Sequence, residues 1–164
     1  MKNDEASETS IDNSEKDWKP LTVFLEDDIY NDVAEIFVSR LKIEYDEVCR
    51  MEKRVVQEAI VKTAMGHSSE VIDRARELNE EIEESGGTDE IDWEAYNLYL
   101  TDPVHETFNE EFFMILKLEH SDLRKLMKRI LHQASLEVGM EYPDEVVSYT
   151  MENPSNDSDY IDVS

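Results

Sequence analysis

The stretch RARELNEEIEESGGTDEIDWE, residues 74–94, holds nine carboxylates and two arginines. Acids at this density can ligate a divalent cation, exchange protons, oppose a basic surface or face water. Their spacing separates these options. On a helix turning 100° per residue, Glu70, Asp73, Glu77, Glu80, Glu81 and Glu84 share one face, while Val71, Ile72, Ala75, Leu78 and Ile82 take the opposite one. The acids therefore point away from whatever the helix packs on. Arg74 and Arg76 flank this stripe and are expected to leave its centre unneutralised. Like charges at i,i+3 and i,i+4 repel by about a few tenths of a kcal/mol per pair. Residues 40–62 interleave Lys and Arg with Glu instead, so the stripe departs from the chain's own habit. Such a helix sets its carboxylates ~5 Å apart, near the spacing of phosphates along a nucleic-acid strand.

Metal and catalytic chemistry find less support. Glu80, Glu81 and Glu84 form an EExxE pattern, and Glu119 with Asp122 forms ExxD. The pair resembles the magnesium site of the all-α nucleotide pyrophosphohydrolases; the resemblance covers these five residues. It implies acids on two helices holding an ion that grips a triphosphate. Ser121, however, reads as a helix cap, which puts Asp122 in the first turn of a new helix. His67, His105, His120 and His132 never fall three or four residues apart, so no helical zinc pair exists, and no ExxH pair suits a di-iron site. Cys49 reads as a small helix residue rather than a nucleophile. The tail NDSDYID lacks the Gly and closing Glu of a calcium loop. The chain reads as a non-enzyme, with no cofactor and no metal.

The 41 acids outweigh 16 bases for a net charge of −25. Residues 1–29 carry nine acids and three bases, 65–103 twelve and two, and 139–164 seven and none. By contrast 30–64 hold seven acids and six bases, and 104–138 six and five. Adaptation to high salt would spread acid more evenly. Direct nucleic-acid binding is disfavoured, because phosphates would be repelled. The polar, acidic start lacks the features of a secretory signal, and no apolar run reaches the ~18 residues of a membrane span. One cysteine excludes an intrachain disulfide. A cytoplasmic protein is expected, with no membrane partner.

The elements that must position these residues read as helical. Segments 1–20 and 153–164 are expected to be disordered and acidic, flanking a helical domain over 21–152. Trp18 and Pro20–Leu25 read as a short extended staple. Apolar residues from Asp28 to Ala64 recur every three or four, giving one long helix or two with a break near Lys42–Glu44. Ser68 or Ser69 would cap a helix that Gly86–Gly87 stops. Further helices are expected from Asp89 to about Leu100, from Asp102–Pro103, from Ser121 to Gly139, and from Pro143. Every apolar run reads with period 3.6, and no internal repeat at a fixed period is evident. The fold class is an all-α compact bundle of five to six helices.

Two interaction roles follow. In the first, Glu70, Asp73, Glu77, Glu80, Glu81, Glu84, Asp89, Glu90 and Asp92 dock on a basic surface of another protein, such as a nucleic-acid enzyme. The protein would then act as an inhibitor or nucleic-acid mimic, by analogy with phage anti-defence proteins. In the second, an adaptor binds through the near-neutral helix 28–64, whose apolar residues on more than one side suit a homodimer.

Overall fold

The computed structural model describes residues 18–152. The expected disordered ends lie outside these residues except for 18–20, which are strand. The chain is mostly helical, with one two-stranded antiparallel sheet. Strand β1 is Trp18–Glu26. Helix α1 runs without a break over 27–44, with a π turn at Asp32–Ile36. A 3-10 turn at Asp46–Val48 leads to α2, Lys53–Met65, and α3, Ser68–Glu84. A second 3-10 turn at Thr88–Glu90 precedes β2, Trp93–Thr101. Helix α4 covers 102–119 with a π turn at Thr107–Phe112. After the 3-10 turn Ser121–Lys125 come α5, Lys128–Met140, and α6, Pro143–Glu152.

This order is one unit stated twice. Shifted by 75 residues, strand falls on strand, π turn on π turn, and each helix start on its counterpart. Of the 60 positions 18–77 set against 93–152 without a gap, 15 are identical. They include Trp18/Trp93, Asp27/Asp102, Phe37/Phe112, Leu41/Leu116, Lys53/Lys128, Arg54/Arg129 and Glu70/Glu145. The sheet register obeys the same shift: Trp18 pairs with Thr101, Glu26 with Trp93, and Thr22 with Asn97, its own equivalent. A pseudo-two-fold axis therefore passes between Thr22 and Asn97, where the Thr22 hydroxyl donates to Asn97 Oδ1 at 2.7 Å. The repeat escaped the sequence reading because most shared positions keep polarity rather than identity.

The halves interlock as a symmetric dimer does, with each contact occurring twice. Helix α3 packs on α5 and α6 on α2, while α2 and α5 cross each other at the axis. At that crossing a Cβ on Gly139 would overlap the Ile60 carbonyl and lie 2.7 Å from Ile60 Cγ2. The strand ends are capped reciprocally. Thr101 N–H donates to Glu58 Oε2 at 2.7 Å, and Glu26 N–H to Gln133 Oε1, Glu58's equivalent, at 2.9 Å. Arg54 stacks on Trp18 and Arg129 on Trp93. Val55 to Val61 are buried without interruption, as are Ile130 to Leu136. The burial on several sides that suggested a second chain is met here by the other half of the same chain.

Several expectations are corrected. The run 93–100 is strand rather than helix. Leu98 and Leu100 are buried beside exposed Asn97 and Tyr99, and the Trp- and Tyr-rich sequence suits a pleated, half-buried surface. Over 21–25 likewise, Leu21, Val23 and Leu25 alternate with exposed Thr22 and Phe24. An extended stretch was read there, but its partner lies 75 residues away with no turn to announce it. Segment 28–64 is two helices, one of the two alternatives expected. The break falls at residues 45–52 rather than near Lys42–Glu44, and exposed Cys49 lies in that break rather than in a helix. The residue capping α3 is His67, not Ser68 or Ser69. Ser121 opens a 3-10 turn, α5 begins at Lys128, and Gly139 lies within α5. Gly86 and Gly87 do stop α3, with φ of 111° and 98°.

Candidate acidic docking face

Helix α3 buries Val71, Ile72, Ala75, Leu78 and Ile82 against the core and turns its acids outward. Asp73, Glu77, Glu80, Glu81 and Glu84 are exposed, as are Asp89, Glu90 and Asp92 beyond the glycine turn. Two features depart from the sequence reading. Arg74 does neutralise part of the stripe, pairing with Glu77 and Glu81 at 3.2 Å each and with Glu137 at 2.9 Å. Burial opposes its charge, but Glu137 and Glu81 outweigh that and push its pKa up. Arg76 turns aside to Asp122 at 2.8 Å, holding that carboxyl below its ordinary pKa.

Glu70 has a structural role instead. His67 and Tyr142, equivalent under the 75-residue shift, stack with ring centres 3.9 Å apart and planes 9° from parallel. The Tyr142 hydroxyl donates to Glu70, which bonds His67 Nδ1 at 3.1 Å; Glu145 bonds His67 Nε2 at 3.0 Å. The His67 pKa is raised by the hydrogen bond to Glu145, with Glu70 adding to it, against the effect of burial. This cluster fastens the starts of α3 and α6 together. It is not free to dock.

The acids of residues 90–94 meet others at one end of the ribbon. Pairing of Glu26 with Trp93 brings residues 26–28 beside 90–94. Glu26, Asp27, Asp28, Glu90, Ile91 and Asp92 line an open concavity of about 300 Å³. Glu94 lies against Asp27, and the hydrogen bond between the two carboxyls, then Asp27's charge, raises its pKa. At the axis-related end the same two places hold Lys19 and Asp102, an ion pair at 3.2 Å. One end has a salt bridge where the other has two acids. Among the described residues, none of Asp73, Glu80, Glu84, Asp89, Glu90 and Asp92 makes an ion pair within 4.0 Å. Sequence reasoning missed Glu26, Asp27 and Asp28 as part of this face, because only the strand register joins them to it, and it did not single out Glu94 within the acidic run 74–94.

Among the described residues, no group of three or more His, Cys, Asp or Glu is arranged to hold a metal ion. Asp122, the last acid of the EExxE–ExxD pair, is engaged by Arg76. No described helix is long and apolar enough to cross a membrane. The arrangement defines a pseudo-symmetric, mostly helical chain whose symmetry is broken by charge. No family model, curated protein or solved structure matches it.

Proposed function

We propose that the protein is a binding module that docks its acidic face on a basic surface of another protein, as an inhibitor or nucleic-acid mimic would. The face runs from Glu80 and Glu84 through Asp89, Glu90 and Asp92 to Glu94 and Asp27. One observation carries the reading: Asp27 and Glu94 stand together where the axis-related pair, Lys19 and Asp102, attract. Juxtaposed acids destabilise a fold, and a cationic partner would relieve that repulsion on binding. Complementary charge also speeds encounter and fixes orientation. The same charge opposes direct contact with nucleic acid.

The test compares two variants that lose equal charge. One carries Glu80→Gln, Glu84→Gln, Asp89→Asn, Glu90→Gln and Asp92→Asn. The control carries Gln at Glu35, Glu44, Glu47, Glu106 and Glu111, exposed acids elsewhere. In a pull-down read by mass spectrometry, the parent and the control should retain a basic protein that salt elutes. The first variant should lose it and keep an unchanged or higher Tm, since repulsion falls. Equal losses in both variants would reduce the face to net charge. Magnesium-dependent hydrolysis of a nucleoside triphosphate would overturn the reading.

A further inference from the structure

The two copies of α1 and α4 differ on their outer sides. Met114, Ile115 and Leu118 on α4 are 55%, 49% and 67% exposed. Their equivalents are Ser39, Arg40 and Ile43, so two of the three positions are apolar in the second copy alone. Beside them Phe113, Met114 and Leu118 form the apolar side of an open groove of about 360 Å³, bounded by Asn109, Glu110, Lys117, Arg124 and Lys128. Arg124 is held in place, its Nε–H donating to the Lys117 carbonyl at 2.9 Å. The protein has 41 acids for 16 bases, and Lys19, Lys62, Arg74 and Arg76 are all paired. Among the described residues Lys117, Arg124, Lys125 and Lys128 pair with no carboxylate, and neither do Arg40, Lys42, Arg50 and Lys53 of the first copy. The copies differ in the acids nearby, for residues 39–56 hold five bases and four acids. Residues 114–131 hold five bases and two acids. A cationic, apolar surface stands here in a strongly anionic chain.

We infer that this groove is a second docking site, opposite in sign to the acidic face, for an acidic amphipathic peptide segment of a partner protein. Apolar side chains of the segment would cover Met114, Ile115 and Leu118, and its carboxylates would meet Lys117, Arg124 and Lys128. Three large side chains standing out of the helix suit a segment laid along it better than a small molecule enclosed by walls. Methionine lets such a surface repack around different apolar shapes. The chain's negative field repels an acidic segment at long range and admits it only where local cations outweigh that field, which supplies selectivity.

The inference is tested with the full chain and a display library of random sixteen-residue peptides. Enriched peptides should combine Asp or Glu with apolar residues three or four apart. Measured by fluorescence anisotropy, they should bind at least about tenfold more weakly to Met114→Ser/Leu118→Ser and to Lys117→Glu/Arg124→Glu. All four positions are at least partly exposed, so both variants should melt within a degree or two of the parent. Five-charge neutralisation of the acidic face should not weaken the peptides, which separates this site from the one proposed above. No enrichment, peptides lacking acid, or equal binding to the serine variant would overturn the inference. Self-association of the parent that Leu118→Ser abolishes would overturn it too, by assigning the groove to a second copy.

Discussion

Gln57 and His132 occupy the same place in the two copies and fare differently. Gln57 is buried, and its Nε2 donates to the Val33 carbonyl in the first π turn at 2.8 Å and to the Tyr96 hydroxyl at 2.7 Å. His132 is buried among Phe108 and Phe113, its Nε2 has no partner, and burial depresses its pKa to about 3. An unfolded histidine titrates near 6.5. Between these values the unfolded chain holds a proton that the folded chain refuses, so this residue costs stability increasingly as pH falls from about 6.5 toward 3. His132→Gln should restore the bond made in the first copy, here to the Phe108 carbonyl. It should add about 1 kcal/mol at pH 7. In urea unfolding its advantage over the parent should widen at pH 5. An advantage independent of pH would refute burial of a neutral imidazole as the cause.

At the scale of elements, the close crossing of α2 and α5 fixes how the halves meet, and it rests on one missing side chain. The equivalent of Gly139 is buried Ala64, so only one side of the crossing is stripped to hydrogen. Gly139→Ala should destabilise by about 1–3 kcal/mol, because backbone rather than a flexible side chain must yield. Gly66→Ala is the control. Its nearest new neighbour is the Thr63 carbonyl at 3.4 Å and its φ is −80°, so thermal melts should show little change. An unaffected Gly139→Ala protein would mean that the helices cross more loosely than described. The helices themselves were legible in the sequence, as the 3.6-residue period of α3 and Pro143 opening α6 illustrate. Of the strands, Pro20–Leu25 was legible as extended but without its partner, and β2 was not legible. Ile91, Trp93, Tyr96 and Leu100 suit a helical period about as well as an extended one, and pairing over 75 residues decided the matter.

For the whole molecule, the interlocked halves imply that neither stands alone. Helix α2 is buried along Val55–Val61 largely by α5, α6 and β2, all from the second half. A chain divided at Gly86–Gly87 into 1–86 and 87–164 should regain the parent's helical circular dichroism only when the pieces are mixed. A fragment 87–164 that melts cooperatively as a monomer would refute the interlock. The same symmetry gives charge its meaning, because each end of the ribbon is a reference for the other. Acid concentrates where Glu94 replaces the equivalent of Lys19, and cations concentrate where Arg124 replaces the equivalent of Cys49.

The sequence by itself determined that the chain is mostly helical, that α3 turns carboxylates away from its core face, and that glycines end this helix. These are local matters, set by periodicity, charge spacing and backbone freedom. It also placed Asp89, Glu90, Asp92 and Glu94 in one acidic run, though not beside Asp27. Only the tertiary structure decided which acids are committed. Glu70 is tied to Tyr142 and His67, Glu77 and Glu81 are tied to Arg74, and residues 26–28 join the face by strand pairing. The two-fold repeat was written in the sequence at 75-residue spacing, but at many equivalent places only polarity is shared. It became visible when the sheet register set Thr22 opposite Asn97, because non-local pairing, unlike a helical period, leaves no signal within a short window of sequence.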